Sequence, residues 1–110
     1  MKINIAQKIK GLDGIKALPN SETGLDLTLK DVSINAILSP DEKQKDGKKK
    51  YTDYEIFVKL RDAEKEIDLS SEEISRIKER GALVLGVLVY GQVVDLLEQK
   101  EIKKYKTLRV

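Results

Sequence analysis

Hydrophobic and polar residues alternate at the start of the chain. Ile3, Ile5 and Ile9 fall on one side of the alternation, and lysines and an asparagine fall on the other. A period of two predicts a half-buried strand. Asp13-Gly14 then favours a turn, and a second short alternation follows at Leu25, Leu27 and Leu29. We therefore expect a short β-hairpin or a three-stranded fragment at the N-terminus.

The period changes to that of a helix at Thr28. Apolar and small residues recur on one helix face, at Leu29, Val32, Ser33, Ala36 and Ile37. Thr28 with Asp31 three residues later resembles a capping box. Pro40 predicts that this helix ends soon after Leu38.

Two more helices are predicted by the same cap spacing. Thr52 with Glu55 precedes one apolar stripe, formed by Ile56, Leu60, Ala63 and Ile67. Ser70 with Glu73 precedes a second stripe, formed by Ile74 and Ile77, on a helix that we expect to end at Gly81. On this helix Glu72 is placed to meet Arg76 one turn later.

The least polar stretch is "RGALVLGVLVYGQVVDLLEQ", residues 80–99. Its valines would also suit a buried strand, but its length favours a helix from about Leu83 to Glu98. Between Ala82 and Val94 this helix would be apolar all round, so it should be enclosed, either centrally in the bundle or by a second copy. Gly86 and Gly91 each disfavour a helix by about 1 kcal/mol, which suggests a close crossing within the chain or between two copies.

These patterns predict an α+β fold, in which a short N-terminal β-hairpin packs on about four helices and the C-terminal apolar helix is central. A chain of 110 residues suffices for a single domain over 1–110. Within it, the run "DEKQKDGKKK" at 41–50 is expected to be a charged mobile loop, and 100–110 a basic C-terminal tail.

The composition limits the available chemistry. The chain contains no cysteine and no histidine, which excludes Cys/His zinc sites, Ser-His-Asp and Cys-His catalysis, and haem held by either residue. Paired carboxylates occur at Asp62 with Glu66 and at Glu72 with Glu73, but nothing places either pair in an apolar pocket. No glycine-rich nucleotide motif is present. We therefore expect no enzymatic activity, no metal and no cofactor.

Length also decides whether the apolar stretch crosses a membrane. Fourteen uncharged residues separate Arg80 from Asp95, whereas a spanning helix needs about 20 apolar residues. The first ten residues carry repeated charges and do not form a secretory signal. We expect a cytoplasmic protein without membrane association.

Two candidate interaction sites remain. A dimer interface is predicted on the apolar stretch, at Ala82, Leu83, Gly86, Val87, Tyr90 and Val94. Nucleic-acid contacts are predicted on two basic segments, at Lys48, Lys49, Lys50, Lys103, Lys104, Lys106 and Arg109. Tyr51 and Tyr105 could stack on bases there. The alternative is a solubilising loop and tail, since a net charge of +2 is far below that of a dedicated nucleic-acid binder.

Three segments resemble a family of small uncharacterised proteins encoded by tailed phages and prophages. They are "LTLKDVSINAILSP" (27–40), "YEIFVKLRDAEKEIDLSSEEISRIKE" (54–79) and "GQVVDLLE" (91–98). The resemblance covers most of the chain in the same order, and it supplies neither an activity nor binding residues. It implies an accessory polypeptide made in the cytoplasm of a bacterial host cell.

The expected function is therefore that of a non-catalytic accessory protein, which binds an unidentified host or phage protein and forms a homodimer. Two alternatives stay open. One is a nucleic-acid-binding protein that uses the basic segments, and the other is an assembly factor for the virion tail or capsid.

Overall fold

The structure is a computed structural model that describes residues 1–40 and 45–99. Its elements in chain order are β1 (Lys2–Asn4), α1 (Leu29–Leu38), α2 (Gly47–Asp62), β2 (Glu66–Asp68), α3 (Ser71–Val84) and α4 (Val87–Leu97). Four helices and a two-stranded antiparallel sheet confirm the predicted α+β fold.

A closed ring of backbone hydrogen bonds occupies residues 8–28. The N–H of Ile9 donates to the carbonyl of Leu27, that of Leu27 to Leu18, and that of Leu18 back to Ile9, at 2.7–2.8 Å. Three isolated antiparallel bridges flank these bonds, at Lys8 with Thr28, Lys10 with Ala17 and Pro19 with Asp26. The predicted three-stranded fragment is thus reduced to single bridges without strands. We call residues 8–28 the N-terminal ring.

The predicted turn at Asp13-Gly14 connects the first two segments of this ring. The carboxylate of Asp13 accepts hydrogen bonds from the N–H groups of Ile15 and Lys16 at 2.9 and 3.1 Å. Gly14 has a φ of +71°, a conformation that glycine adopts without steric cost. The hydrogen bonds from Ile15 and Lys16 lower the pKa of Asp13 below its ordinary value.

The first strand finds its partner far along the chain. β1 pairs with β2 in antiparallel register, with Ile3 opposite Ile67, and the N–H of Ile5 extends the pairing to the carbonyl of Lys65. Ile67 was expected on a helix stripe, and that assignment is wrong. The alternation of buried Ile67 and Leu69 with exposed Glu66 and Asp68 has the period of a strand.

Side chains cover the edges of this short sheet. Gln7 donates to the carbonyl of Asn4 at 2.7 Å and Lys59 to that of Asp68 at 2.7 Å, while Gln99 donates to the carbonyl of Lys2. Edge carbonyls that are already bonded offer fewer acceptors to a strand from another chain.

Helix α1 lies at the centre of the bundle. It packs against α2, α3 and α4, whereas α4 packs mainly on α3 and α1, so α1 takes the central position expected for the C-terminal helix. The capping box is confirmed, because Thr28 and Asp31 each accept the other's backbone N–H through their side chains. The helix ends at Leu38 as predicted, and its predicted apolar face is buried.

Helix α2 begins earlier than its predicted cap. Asp46 is the N-cap and accepts the N–H of Lys48 at 2.9 Å, so residues 47–50 of the expected loop are helical. Thr52 lies inside the helix and donates to the carbonyl of Lys48. Lysine is a good helix former, so the helix begins after Asp46 rather than after Thr52. Residues 41–44 of the predicted loop and the tail 100–110 lie outside the described residues.

Helices α3 and α4 form an antiparallel hairpin with a sharp break between them. The Ser70–Glu73 capping box is confirmed at the start of α3. The helix continues through Gly81 to Val84, and α4 begins at Val87 with Gly86 as its N-cap. The predicted end at Gly81 and the predicted unbroken helix from Leu83 are therefore both wrong.

The two helices approach closely at Gly81. A Cβ atom there would lie 3.3 Å from side-chain carbons of both Leu85 and Tyr90, so the hairpin needs a small residue at this point. At Gly86 and Gly91 a Cβ would meet nothing within 4 Å, and the close crossing expected at those glycines is absent from the described chain. Within the chain the close contact thus lies at Gly81 instead, and a crossing between two copies at Gly86 or Gly91 stays a prediction.

A partly buried ionic cluster joins α2, α3 and the end of α1. Arg76 binds the carboxylate of Asp53 through two nitrogens at 2.7 and 2.9 Å, with the side chains 13% and 12% exposed. Arg80 is buried and donates to the carbonyl of Ser39. Arg76 also pairs with Glu79 rather than with Glu72, to which the helical spacing pointed. The bond to Asp53 raises the pKa of Arg76 above its ordinary value.

Candidate interaction surfaces

Exposed apolar side chains cluster where α3 turns into α4. Val87 is 92% exposed and Leu83 is 65% exposed, and Val84 and Leu88 are also open to solvent. We call this the elbow surface, formed by Ala82, Leu83, Val84, Gly86, Val87 and Leu88. The enclosure predicted for the whole stretch 82–94 is therefore absent from the described chain.

Burial on α4 is confined to its second half. Gln92, Val93, Leu96 and Leu97 are the buried residues of this helix. Gln92 fixes the N-terminal ring against it, because its side chain accepts the N–H of Lys10 at 2.6 Å and donates to the carbonyl of Lys10 at 2.7 Å. In the first turn of α4, Val87 and Leu88 are exposed, whereas Val89 is partly buried against the core.

The structure brings together four of the six predicted dimer residues. Ala82, Leu83, Gly86 and Val87 are all exposed on the elbow surface. Tyr90 and Val94 are half-buried, and Tyr90 packs over Gly81. Val84 and Leu88 were missed by sequence reasoning, although both lie in the same apolar run.

An apolar groove borders the elbow surface. It is open, has a volume of about 610 Å³, and lies between the loop Pro19–Glu22, helix α1 and the elbow. Its apolar lining comes from Leu27, Ile34, Leu38, Val84, Leu85 and Val89. The rest of the lining is polar and nearly as extensive, and it includes Asn20, Ser21, Asn35 and the charged Glu22 and Asp31. Asp31 is engaged in the cap of α1. A convex apolar elbow and a concave apolar groove are thus neighbours, with Val84 and Gly86 in both.

A second surface runs along α2 and carries aromatic rings. Tyr51 and Tyr54 are 62% and 53% exposed, and their ring centroids are 6.1 Å apart. Phe57 follows with its centroid 6.4 Å from that of Tyr54, and the guanidinium of Arg61 lies 5.8 Å from the centroid of Phe57. We call Tyr51, Tyr54, Phe57 and Arg61 the aromatic ladder.

Three of the predicted nucleic-acid contacts lie at the start of the same helix. Lys48, Lys49 and Lys50 are exposed in the first turn of α2. Within residues 1–40 and 45–99, no carboxylate forms an ion pair with any of the three. The other predicted contacts, Lys103, Lys104, Lys106 and Arg109, lie outside the described residues, as does Tyr105.

Sequence reasoning placed Tyr51 near these lysines but missed the rest of the ladder. The signal was present in the spacing, because residues 51, 54 and 57 are three apart and therefore adjacent on a helix surface. It was lost because the helix was expected to begin at Thr52, which left Tyr51 outside it.

One carboxylate of each predicted pair, Asp62 and Glu73, forms an ion pair. Asp62 pairs with Arg61 at 2.9 Å, and the hydrogen bond from Arg61 lowers the pKa of Asp62. Burial raises the pKa of Glu73, but hydrogen bonds from the Ser70 backbone and from Lys59 together bring it below its ordinary value. Both groups are therefore held ionised, in positions that cap or brace helices.

The described residues contain neither a metal-binding cluster nor a membrane-spanning helix. In the part of the chain that the structure describes, no three acidic, histidine or cysteine side chains are grouped so as to hold a metal ion. No described helix has the length and apolar character needed to cross a membrane.

Comparisons of the chain with protein-family models, with curated proteins and with solved structures gave no match. Function is therefore inferred from the elbow surface and from the aromatic ladder.

Proposed function

We propose that the chain is a non-catalytic accessory protein that acts through protein–protein interaction, as a homodimer paired through the elbow surface. The observation that supports the proposal is the exposure of Leu83 and Val87 beside an apolar groove. Contiguous exposed apolar patches on soluble domains mark interaction sites, because their burial removes apolar surface from water.

Charge favours a second copy as the occupant. The chain carries no charged residue from Gly81 to Val94, so the elbow offers nothing to select a charged partner. An identical apolar elbow is a matching surface. A two-fold axis near Gly86 would set the elbow of each copy against the groove of the other, which is the self-complementary arrangement of isologous dimers.

The magnitudes are consistent with a dimer of moderate affinity. Full burial of an exposed Leu or Val side chain contributes about 1.5–3 kcal/mol, and a two-fold contact counts Leu83 and Val87 twice. Association loses about 4–15 kcal/mol of rigid-body freedom. The four side chains together contribute about 6–12 kcal/mol, which is comparable to this loss, so burial of groove-lining residues as well is needed for a clear net gain.

The accessory role rests on the resemblance of three segments to the family from tailed phages and prophages. It supports an unidentified host or phage protein as the partner of the dimer, in the cytoplasm of a bacterial cell. The elbow is occupied by the second copy in this proposal, which leaves the outer face of α3 for that partner.

Sedimentation equilibrium over a concentration series up to tens of micromolar tests the dimer. We expect the parent chain to dimerise and Val87→Asp to stay monomeric, because a charge at the centre of the contact is desolvated without a partner. Leu12→Asp is the matched control, since Leu12 is 90% exposed on the N-terminal ring and should leave dimerisation unchanged. A monomeric parent chain over the whole series would overturn the proposal.

Cysteine cross-linking tests whether the two-fold axis of the dimer lies at the elbow surface. The chain has no cysteine of its own, so a single Val87→Cys substitution gives one defined thiol per copy. We expect oxidation to link two Val87→Cys copies rapidly and two Leu12→Cys copies slowly. Equal rates for the two variants would contradict a contact through the elbow.

A further inference from the structure

We infer that the exposed face of α2 binds single-stranded nucleic acid, with the aromatic ladder as a stacking surface and Lys48 and Lys50 as phosphate contacts. This surface shares no residue with the elbow surface. It is therefore a second function of the chain, independent of the dimer.

The aromatic ladder offers exposed rings on which unpaired bases can stack. Two tyrosine rings project from successive turns of α2, and each has more than half of its surface exposed. Base–aromatic stacking tolerates any sequence, because every base has a π-face. A duplex hides those faces between its base pairs, so exposed rings on a helix favour single strands over duplexes.

The lysines add a charge that helix stability does not explain. The N-terminal end of a helix carries partial positive charge, which favours acids in the first turn and disfavours cations. The first turn of α2 contains three lysines and no acid. The positive potential of the lysines therefore adds to that of the helix end, and phosphate is a group that complements both.

Most carboxylates near this face are already neutralised. Asp53 is buried against Arg76, and Asp62 pairs with Arg61. Glu73, which faces α2 from α3, pairs with Lys59. Among the described residues of α2, Glu55 is the one carboxylate without an ion-pair partner. Glu55 and the N-cap Asp46 are outnumbered by the three lysines at this end of the helix, so it attracts a polyanion.

The extent of the face sets the expected affinity. Tyr51 and Arg61 lie about 15 Å apart along the helix axis, which is enough for a few nucleotides. Two phosphate contacts on a single strand give a slope of about −1.4 for log K against log salt concentration. We therefore expect weak binding per copy, with a measurable and modest dependence on salt.

Fluorescence anisotropy with the full chain tests the inference. The probes are a short labelled oligothymidylate, its duplex with oligoadenylate, and a labelled oligoglutamate peptide. We expect the single strand to bind more tightly than the duplex or the peptide, with the salt slope given above. No binding of the single strand at low salt would overturn the inference, and so would tighter binding of the duplex or of the acidic peptide.

Ring variants separate stacking from charge. We expect Tyr51→Ala and Tyr54→Ala each to weaken binding of the oligothymidylate about fivefold or more. Tyr51→Phe and Tyr54→Phe retain the rings and should retain the affinity. If the alanine variants bind as tightly as the parent chain, stacking on the ladder is refuted.

Charge reversal tests the lysines without harming the helix. The double variant Lys48→Glu/Lys50→Glu puts acids where the helix end favours them, so the fold should be as stable as before or more so. The control Lys16→Glu/Lys65→Glu changes the net charge equally at exposed positions outside α2. We expect the first pair to abolish most binding and the second to retain most of it.

Equal losses from the two lysine pairs would refute a local contact at α2. Binding that neither pair affects would place the site elsewhere on the chain, and would also overturn the inference. Val87→Asp should leave the affinity for a short oligonucleotide unchanged, which separates a failure of this inference from a failure of the dimer.

Discussion

Helices α2 and α4 differ in a way that composition does not anticipate. In α2, polar and charged residues predominate, yet it buries Ile56 and Leu60 in the centre of the protein. Helix α4 is far more apolar, yet its first residue is almost fully exposed. A narrow apolar stripe is therefore enough to bury one face of a helix that packs along α1. An apolar helix, by contrast, stays exposed to solvent where no described element packs over it.

The largest expected change in the free energy of unfolding comes from Asp53, a polar residue of α2. Asp53→Ala removes the carboxylate that binds Arg76, while Arg76 stays partly buried with Arg80 nearby. Breaking such a pair destabilises by up to about 3–5 kcal/mol, and Glu79 remains as a partner of Arg76. Urea unfolding monitored by circular dichroism measures the change. The exposed pair of Asp62 with Arg61 provides the control, and Asp62→Ala should unfold at nearly the same urea concentration as the parent chain.

The second prediction compares the two ends of α4. Leu97 is buried and Val87 is exposed, so Leu97→Ala should destabilise the fold by about 2–5 kcal/mol through the cavity that it leaves. Val87→Ala should stay within about 0.5 kcal/mol at concentrations where the chain is monomeric. Similar losses for the two variants at such concentrations would mean that the first turn of α4 is covered within one chain.

The third prediction compares two glycines of the same hairpin. Gly81→Val adds atoms that press on Leu85 and Tyr90, and overpacking of this kind costs about 1–3 kcal/mol. Gly91→Ala adds a methyl group in open space and should stabilise the helix by about 0.5–1 kcal/mol. Thermal unfolding of both variants decides the matter, and a stabilising Gly81→Val would contradict the close approach at that point.

The smallest expected effect concerns the cap of α3. The pKa of Glu73 in the fold lies below its ordinary value of 4.5. Its stabilising contribution is therefore complete above that pH and is lost as the pH falls through the folded pKa. We expect a loss of less than about 1 kcal/mol, the scale of an exposed ion pair. Urea midpoints measured between about pH 6 and about pH 3 should fall less steeply in Glu73→Gln than in the parent chain.

Local features of the fold were predictable from the sequence. The caps at Thr28 and Ser70, the end of α1 before Pro40 and the turn at Asp13 all depend on residues within four positions of one another. Such interactions are the same wherever the segment lies in the protein. For this reason the helix faces were predicted correctly for α1 and for the middle of α2.

Features that depend on distant residues were not predictable. The partner of Ile3 could have been any strand, and the hairpin pattern next to it suggested the wrong one. Arg76 had an acceptable partner one turn away in Glu72 but bonds Asp53 from another helix. The exposure of Val87 depends on which elements pack over α4, and periodicity carries no information on that choice.

The pairing of Ile3 with Ile67 also bears on the order in which the chain folds. The N-terminal ring and the α3–α4 hairpin close over short stretches of chain, whereas β1 and β2 enclose everything from the ring to the end of α2. Closing a longer loop loses more chain entropy before any contact compensates for it. The small sheet should therefore assemble after the folding transition state, so that replacing Ile3 with Ala speeds unfolding and leaves the folding rate almost unchanged.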